Sequence, residues 1–215
     1  RSGKLLGALT FGWALVFIYY SKSELLTSNM MIVSIGTYYR RVTPVLVARI
    51  LGFCYLGNIL GGLFVAGLLR GSTLLNGPVL TAMQHAVDVK TGYLSAGYTG
   101  WLDLLVRAIL CNFMINIAML LVYNGYLHED IAKCLTMITA VFVFAYLDFE
   151  HSVANTVLFM IVGLQHPINV GAALGNIAIV LLGNFIGGGV LIGFYYAWVN
   201  DERDRHLPRL WHRGG

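Results

Sequence analysis

A histidine embedded in an apolar stretch is the residue of this sequence best suited to do chemistry. His151 lies in the segment Asp148-Phe149-Glu150-His151-Ser152, which interrupts a hydrophobic run from about 131 to 164. An imidazole exchanges protons near neutral pH, and an ionisable group inside an apolar span is costly enough to indicate function. The alternative is structural, a ring that holds a loop through a hydrogen bond to a neighbour. We favour function because the histidine lies within the interruption.

A second polar interruption has a similar composition. Ser21-Lys22-Ser23-Glu24 breaks the hydrophobic run from about 3 to 37, and Asn29 follows Glu24 by five positions, as Asn155 follows Glu150. We expect Glu24 and Glu150 to be structural, accepting hydrogen bonds from loop amides or lying in a subunit interface, rather than contacting a substrate. Five asparagines either line a pore or cap broken backbone, and both roles stay open for each: Asn29, Asn58, Asn112, Asn155 and Asn184.

These matches belong to an internal repeat. Glu24–Asn29 and Glu150–Asn155 lie 126 positions apart, and so do the glycine-rich segments Leu56–Gly62 and Leu182–Gly188. The glycines favour close helix contact, and no strand precedes them as a nucleotide-binding loop would require. Three predicted spans separate the copies, so the two copies insert in opposite orientations, as in the inverted repeats of many transporters.

Membrane-spanning helices must position these residues. The chain is 58% hydrophobic and 11% charged, with a mean hydropathy of +0.73, which would leave a soluble domain with too much apolar surface. Several runs exceed the roughly 20 residues that a helix needs to cross the bilayer core, and the alternating strands of a barrel are absent. An all-α membrane protein with five spans is therefore predicted, at about 3 to 37, 43 to 69, 101 to 125, 131 to 164 and 169 to 198.

The distribution of arginine predicts the orientation of the spans. Arg40 and Arg41 follow the first span, and further arginines lie in the tail at 199–215. Four spans separate these two basic segments, so both are expected on the cytoplasmic side by the positive-inside rule. The net charge of +4 therefore indicates topology rather than nucleic-acid binding.

We expect one transmembrane domain over 1–215, with a partial first repeat at 1–69 and a complete second repeat at 101–198. The second copy has three predicted spans and the first shows two. A helix equivalent to residues 101 to 125 is therefore expected before Arg1, which would give six spans in total.

The two interruptions predict an anion-binding centre. Where a broken helix resumes, its N-terminus carries partial positive charge, and irregular backbone is tolerated at membrane depth only beside protein or a water-filled cavity. Two such ends attract an anion without a buried cation that would hold it too tightly. An intramembrane hydrolase is disfavoured because the sequence lacks a His-Glu-x-x-His motif, and no metal or other cofactor is expected. An aquaporin-like channel for neutral solutes is a further alternative, but Thr-Ser-Asn and Val-Ala-Asn replace the paired Asn-Pro-Ala loops.

The segments Phe149-Glu150-His151-Ser152-Val153-Ala154-Asn155, Arg107–Asn112 and Glu24–Asn29 together resemble the formate/nitrite transporter family. The resemblance implies an aquaporin-like inverted repeat of three plus three helices with two broken helices, assembled in the cell membrane as a homopentamer with one pore per protomer. It implies passage of small monovalent anions, with formate expected first and nitrite or hydrosulfide as alternatives.

The resemblance also implies roles for individual residues. It makes His151 the central pore histidine, which would share a proton with the anion, and Thr27 the loop threonine opposite it. Three groups of residues complete the expected pathway: polar lining from Asn155 and Asn184, apolar constrictions from Leu15, Leu25 and Phe144, and a basic vestibule residue at Lys90. The chain departs from the family pattern at Asp148 and Tyr146, where smaller residues are familiar.

Overall fold

The computed structural model of the protein describes residues 2–201, and the regular structure within that range is helical. The helices, in chain order, are α1 (Ser2–Tyr20), α2 (Leu26–Tyr38), α3 (Pro44–Arg70), α4 (Gly77–Ser95), α5 (Gly97–Tyr123), α6 (Asp130–Tyr146), α7 (Ser152–Gly163), α8 (Val170–Asn184), a π-helical segment (Phe185–Phe194) and α9 (Tyr195–Val199). The predicted basic tail lies outside the described residues from position 202 onward.

The membrane-spanning character predicted from composition is confirmed. Four helical stretches of the described chain are long and apolar enough to cross a bilayer: Gly3–Tyr20, Pro44–Arg70, Gly97–Tyr123 and Val170–Val199. The last of these runs continuously through α8, the π-helical segment and α9. Helix α7 is apolar but shorter, because it is one half of a broken span.

Both predicted interruptions are breaks between helices, and the two breaks have the same backbone geometry. Lys22 and Asp148, 126 positions apart, each follow a helix end with φ of 55°. The amide of Ser23 bonds to the carbonyl of Ile18, and that of Phe149 bonds to the carbonyl of Phe144. This six-to-one bond with a left-handed residue is the Schellman motif, which ends a helix sharply.

Helices α1 and α6 cross in antiparallel orientation. Lys4, near the start of α1, contacts Asp148 beyond the end of α6. At mid-length, a Cβ added to Gly12 would lie 2.9 Å from Ile138 Cγ2, so the absent side chain lets the two helices approach closely. The same pair of helices contributes Leu15, Val141 and Phe144 to the largest buried apolar cluster.

Helix α4 is a difference from the sequence-based prediction, which placed no element between 69 and 101. Pro78 in the first turn has a φ that suits a helix, and Asn76, the residue before the helix, has an extended backbone. The helix mixes polar and apolar residues, so it gave no long hydrophobic run. It packs against α5, α7 and α8 and carries Lys90.

The π-helical segment brings a glycine-rich surface against α2 and α5. A Cβ added to Gly188 would collide with the side-chain amide nitrogens of Asn112 and Asn116 on α5. The glycine cluster therefore mediates close helix contact, as the sequence suggested.

Helix α3 presents a more open surface. A groove of about 840 Å³ runs along it, and Gly57 and Gly61 face open space there. The equivalent glycines of the second repeat, Gly183 and Gly187, lie against α5. The expectation of a further helix before Arg1 stays a prediction.

Candidate functional site

The candidate site lies where α2 and α7 begin. Thr27, in the first turn of α2, places its hydroxyl Oγ1 3.4 Å from Nε2 of His151, the residue that precedes α7. Thr27 is fully buried, and the first turns of α2 and α7, whose amides have no partner within their own helix, meet at this contact. Two partial positive charges thus converge beside one hydroxyl and one imidazole.

The other ring nitrogen of His151 has a structural role. Nδ1 accepts a hydrogen bond from the backbone amide of Ala154 at 3.3 Å and thereby caps α7. Because Nδ1 accepts, the hydrogen of the neutral ring is on Nε2 and points toward Thr27. At 3.4 Å the Thr27 contact is long, so an anion that reached Nε2 could compete for this donor.

A central cavity of about 520 Å³ adjoins this contact. Its lining is mostly apolar and includes the three residues expected at constrictions, Leu15, Leu25 and Phe144. Leu15 and Phe144 are 3% and 4% exposed, so they are held firmly in the protein interior. His151 and Glu24 are the ionisable residues that line this cavity.

A second, smaller cavity of about 200 Å³ lies on the other side of His151, and we call it the Lys90 cavity. Lys90 and Asp148 are the charged residues in its lining, and Asn155 is a further polar residue there. The residues that line both cavities form a partition between them: Phe11, Phe144, His151, Ala154 and Leu158. His151 is the polar member of this otherwise apolar partition.

Lys90 belongs to a buried hydrogen-bonded chain. Its ammonium lies 2.8 Å from Oε2 of Glu150, which also accepts from Nδ2 of Asn155 at 2.6 Å. Asn155 donates in turn to Oδ1 of Asn176, and Asn176 donates to the carbonyl of Lys90. Glu150 is 2% exposed, so its charge depends on Lys90 and Asn155 for stabilisation.

The first break has a simpler version of the same arrangement. Nδ2 of Asn29 donates to Oε2 of Glu24 at 2.7 Å, at the same five-residue spacing as Asn155 and Glu150. Glu24 is exposed to the cavities on either side of it, whereas Glu150 is buried. Both glutamates hold an asparagine of the following helix.

Two asparagines of α5 fix the position of Thr27. Nδ2 of Asn112 and Nδ2 of Asn116 each donate to the Thr27 carbonyl at 3.1 Å. Asn112 also donates to the carbonyl of Asn184 at 2.6 Å. The sequence analysis included Asn112 but missed Asn116 and Asn176. The four-residue spacing of Asn112 and Asn116 in an apolar span was the signal that could have identified Asn116.

Asn184 holds the second break through its side chain. Oδ1 accepts from the Ser152 amide at 2.9 Å, and Nδ2 donates to the carbonyls of Ala108 and Glu150 at 2.8 and 3.0 Å. The residue is fully buried, and its amide serves backbone groups rather than either cavity. It therefore positions His151 and the start of α7.

The arrangement suits transient binding of a small anion rather than covalent chemistry. It offers hydrogen-bond donors, helix N-termini and apolar walls around His151 and Thr27. Within residues 2–201, no group of three or more histidine, cysteine or acidic residues is placed to hold a metal ion.

Comparison with protein families matches residues 1–198 to the model described as formate/nitrite transporter. Two curated relatives illustrate the match. The nitrite transporter NirC of Salmonella typhimurium is 30% identical, over 93% of this chain and 72% of its own length. The formate channel FocA of Haemophilus influenzae is 28% identical, over 91% of this chain and 74% of its own length.

Solved structures give the same fold. A chain described as an FNT family ion channel aligns with a TM-score of 0.79 and 27% identity, covering 92% of this chain and 78% of its own. A pentameric formate channel with formate bound aligns with a TM-score of 0.67 and 22% identity, covering 91% and 82%. These relatives are transporters and channels, which agrees with the expectation that the chain is not an enzyme.

Proposed function

The chain belongs to the formate/nitrite transporter family, and from this premise we propose that it conducts formate, or a similar small monovalent anion, past His151. The observation that carries the proposal is the contact between Thr27 Oγ1 and His151 Nε2, where the N-termini of two half-helices meet inside an apolar partition. This is the point at which an anion would lose water and gain protein donors.

The pathway begins at the Lys90 cavity in this proposal. An anion attracted there reaches the partition, where Phe144 and Leu158 offer no hydrogen bonds. The hydroxyl of Thr27, the Nε2 hydrogen of His151 and the helix N-termini replace part of its hydration. The anion then continues into the central cavity, whose lining includes Leu15 and Leu25 as the second apolar region.

We propose that His151 also exchanges a proton with the anion. The neutral ring has its hydrogen on Nε2, so a second proton would bind Nδ1 and displace the Ala154 amide from it. The ring cation would then transfer its Nε2 proton to a formate oxygen, giving neutral formic acid and a neutral imidazole that carries its hydrogen on Nδ1. The acid crosses the apolar region more easily than its anion, so flux should rise as external pH falls.

The choice of formate rests on the segment Leu26-Thr27-Ser28-Asn29 at the first break, which resembles formate-type members. Nitrite and hydrosulfide are the alternatives within this family. A hydroxyl and an imidazole donor do not distinguish these anions by hydrogen-bond number, and curated relatives include both a nitrite transporter and a formate channel.

We propose further that the chain forms a homopentamer in the cell membrane with its C-terminus in the cytoplasm. The exposed apolar side chains of α3, such as Phe53 and Phe64, suit a surface that faces lipid or a neighbouring protomer. A pentameric assembly is described for one of the structural neighbours.

The test is uptake of formate, nitrite and hydrosulfide into proteoliposomes containing the full-length protein at two external pH values. We expect formate uptake that increases at acid pH, and loss of that increase in His151→Asn. Thr27→Val, which removes the hydroxyl but keeps the shape, should lower flux without removing its pH dependence.

Three outcomes would count against the proposal. Unchanged pH dependence in His151→Asn would exclude proton exchange at this residue. Uptake of nitrite or hydrosulfide in preference to formate would change the substrate. Rapid passage of water or glycerol with no anion flux would leave only the fold and favour a neutral-solute channel.

A further inference from the structure

Lys4 contacts Asp148 and Tyr146, the two residues near the second break at which the chain departs from the family pattern. Its ammonium forms an ion pair with the carboxylate of Asp148 and lies 5.6 Å from the ring centroid of Tyr146. Tyr146 is itself stacked on Phe142, with centroids 5.6 Å apart. The first turn of α1 is thereby joined to the end of α6 beside the Lys90 cavity.

The local backbone geometry accommodates an aspartate at this position but does not require its charge. Asp148 has φ of 55°, a left-handed conformation that favours glycine, and it ends α6 in a Schellman motif. Glycine would satisfy the same motif with less strain. In the described chain, the carboxylate itself contacts Lys4.

The charge balance of the Lys90 cavity gives this contact a consequence. Lys90 and Asp148 are the charged residues in the cavity lining, and they have opposite signs. The ammonium of Lys90 is already paired with Glu150 at 2.8 Å. Asp148 is the more exposed charge, with 65% of its side chain accessible, so its carboxylate would repel an arriving anion unless it were neutralised.

Neighbouring charged groups do not replace Lys4 in this role. Arg107 donates from Nη1 to the backbone carbonyl of Asp148, and its Nε is paired with the carboxylate of Asp103. The guanidinium thus orients the loop, while the ammonium of Lys4 is the cation on the Asp148 carboxylate in the described chain.

We propose that the Lys4–Asp148 ion pair sets the rate at which anions reach the pore, because Lys4 neutralises a carboxylate that would otherwise repel them. Lys4 is thus a neutralising residue at the pore mouth, and Asp148 supplies the charge that it neutralises. This inference rests on the proposed anion conduction.

Single and double substitutions separate this role from a structural one. Lys4→Gln leaves Asp148 uncompensated, and we expect anion uptake to fall by about two- to tenfold at low ionic strength. Asp148→Asn breaks the same ion pair but removes the repelling charge, so uptake should equal or exceed that of the wild type. The double substitution should restore the uptake that is lost in Lys4→Gln alone. A purely structural contact would make both single variants slower.

The experiment uses full-length protein in proteoliposomes, with formate and nitrite as the probe anions. Uptake is measured at about 20 mM and about 300 mM ionic strength, because added salt should shrink the Lys4→Gln effect. Asp88→Asn is the matched control, since it removes a carboxylate from a separate surface cavity on α4. Asp148→Gly provides a variant that relieves the left-handed strain, so it keeps the test valid if Asp148→Asn folds poorly.

The outcomes separate this inference from the proposed function. The ion-pair role would be supported if Lys4→Gln takes up anions more slowly than the wild type while Asp148→Asn and Asp148→Gly are at least as fast as the wild type. The double variant should then take up anions faster than Lys4→Gln alone. Wild-type uptake with all variants unchanged, or with both single variants equally slow, would overturn the ion-pair role alone. Absence of anion uptake in the wild type would overturn both proposals.

Discussion

Asn184 is expected to be the polar side chain whose loss most weakens the second break. Its carboxamide makes three hydrogen bonds, to the Ser152 amide and to the carbonyls of Ala108 and Glu150, at 2.8 to 3.0 Å in a fully buried site. Asn184→Ala removes all three bonds. It also leaves a buried amide without its acceptor at the start of α7, next to His151.

The size of the effect follows from these contacts. A buried hydrogen bond contributes about 1 kcal/mol, so three of them give a loss of about 3 kcal/mol in the free energy of unfolding. For a chain of this size, that loss corresponds to a fall of about 6–12 °C in the unfolding midpoint. Anion flux should also fall, because the start of α7 and the ring of His151 lose their support.

The assay is the thermal midpoint of the detergent-solubilised full-length protein, measured by the fraction that stays monodisperse after heating. Asn200→Ala is the control, because Nδ2 of Asn200 makes one bond in an exposed site, to the Tyr196 carbonyl. It should lower the midpoint by about 3 °C or less. An Asn184→Ala midpoint no lower than that of Asn200→Ala would refute the assigned role.

Two other substitutions test the contacts around the site. Gly188→Ala should prevent correct assembly of α5 with the π-helical segment, because the new Cβ would collide with the side-chain amides of Asn112 and Asn116. The control Gly92→Ala adds a methyl group in open space and should be neutral. The yield and monodispersity of the purified protein measure both effects. Phe144→Ala should join the two cavities and raise uptake of lactate relative to formate several-fold, at a cost of about 3–5 kcal/mol in stability. Phe142→Ala, on the same helix but outside both cavity linings, should leave that ratio unchanged, and equal ratios in the two variants would contradict the partition assigned to Phe144.

Sequence reasoning anticipated the breaks because polar residues in an apolar run have few structural explanations at membrane depth. The interruptions at Ser21–Glu24 and Asp148–Ser152 correspond to the two helix breaks, and the 126-residue offset places matching Schellman ends at Lys22 and Asp148. The contact of Thr27 with His151 came from the family resemblance, since no spacing rule brings together residues 124 positions apart.

The features that were missed have physical reasons. Helix α4 has both polar and apolar faces, so a search for long hydrophobic runs passes over it even though it carries Lys90. Asn116 and Asn176 lie in apolar helices, and their role depends on the carbonyls of Thr27 in α2 and Lys90 in α4, to which they donate hydrogen bonds. The π-helical segment packs against α2 and α5, and such long-range contacts cannot be predicted from the local sequence.

The apolar partition between the two cavities also bears on the energy supply of the cell. Protons cross membranes rapidly along unbroken files of water molecules, and Phe11, Phe144 and Leu158 leave His151 as the one polar side chain of the partition that could support such a file. If the chain conducts anions as proposed, a passage interrupted in this way would admit a proton only together with an anion, by exchange at His151. The bulky side chains of the partition would thereby oppose a continuous leak of free protons.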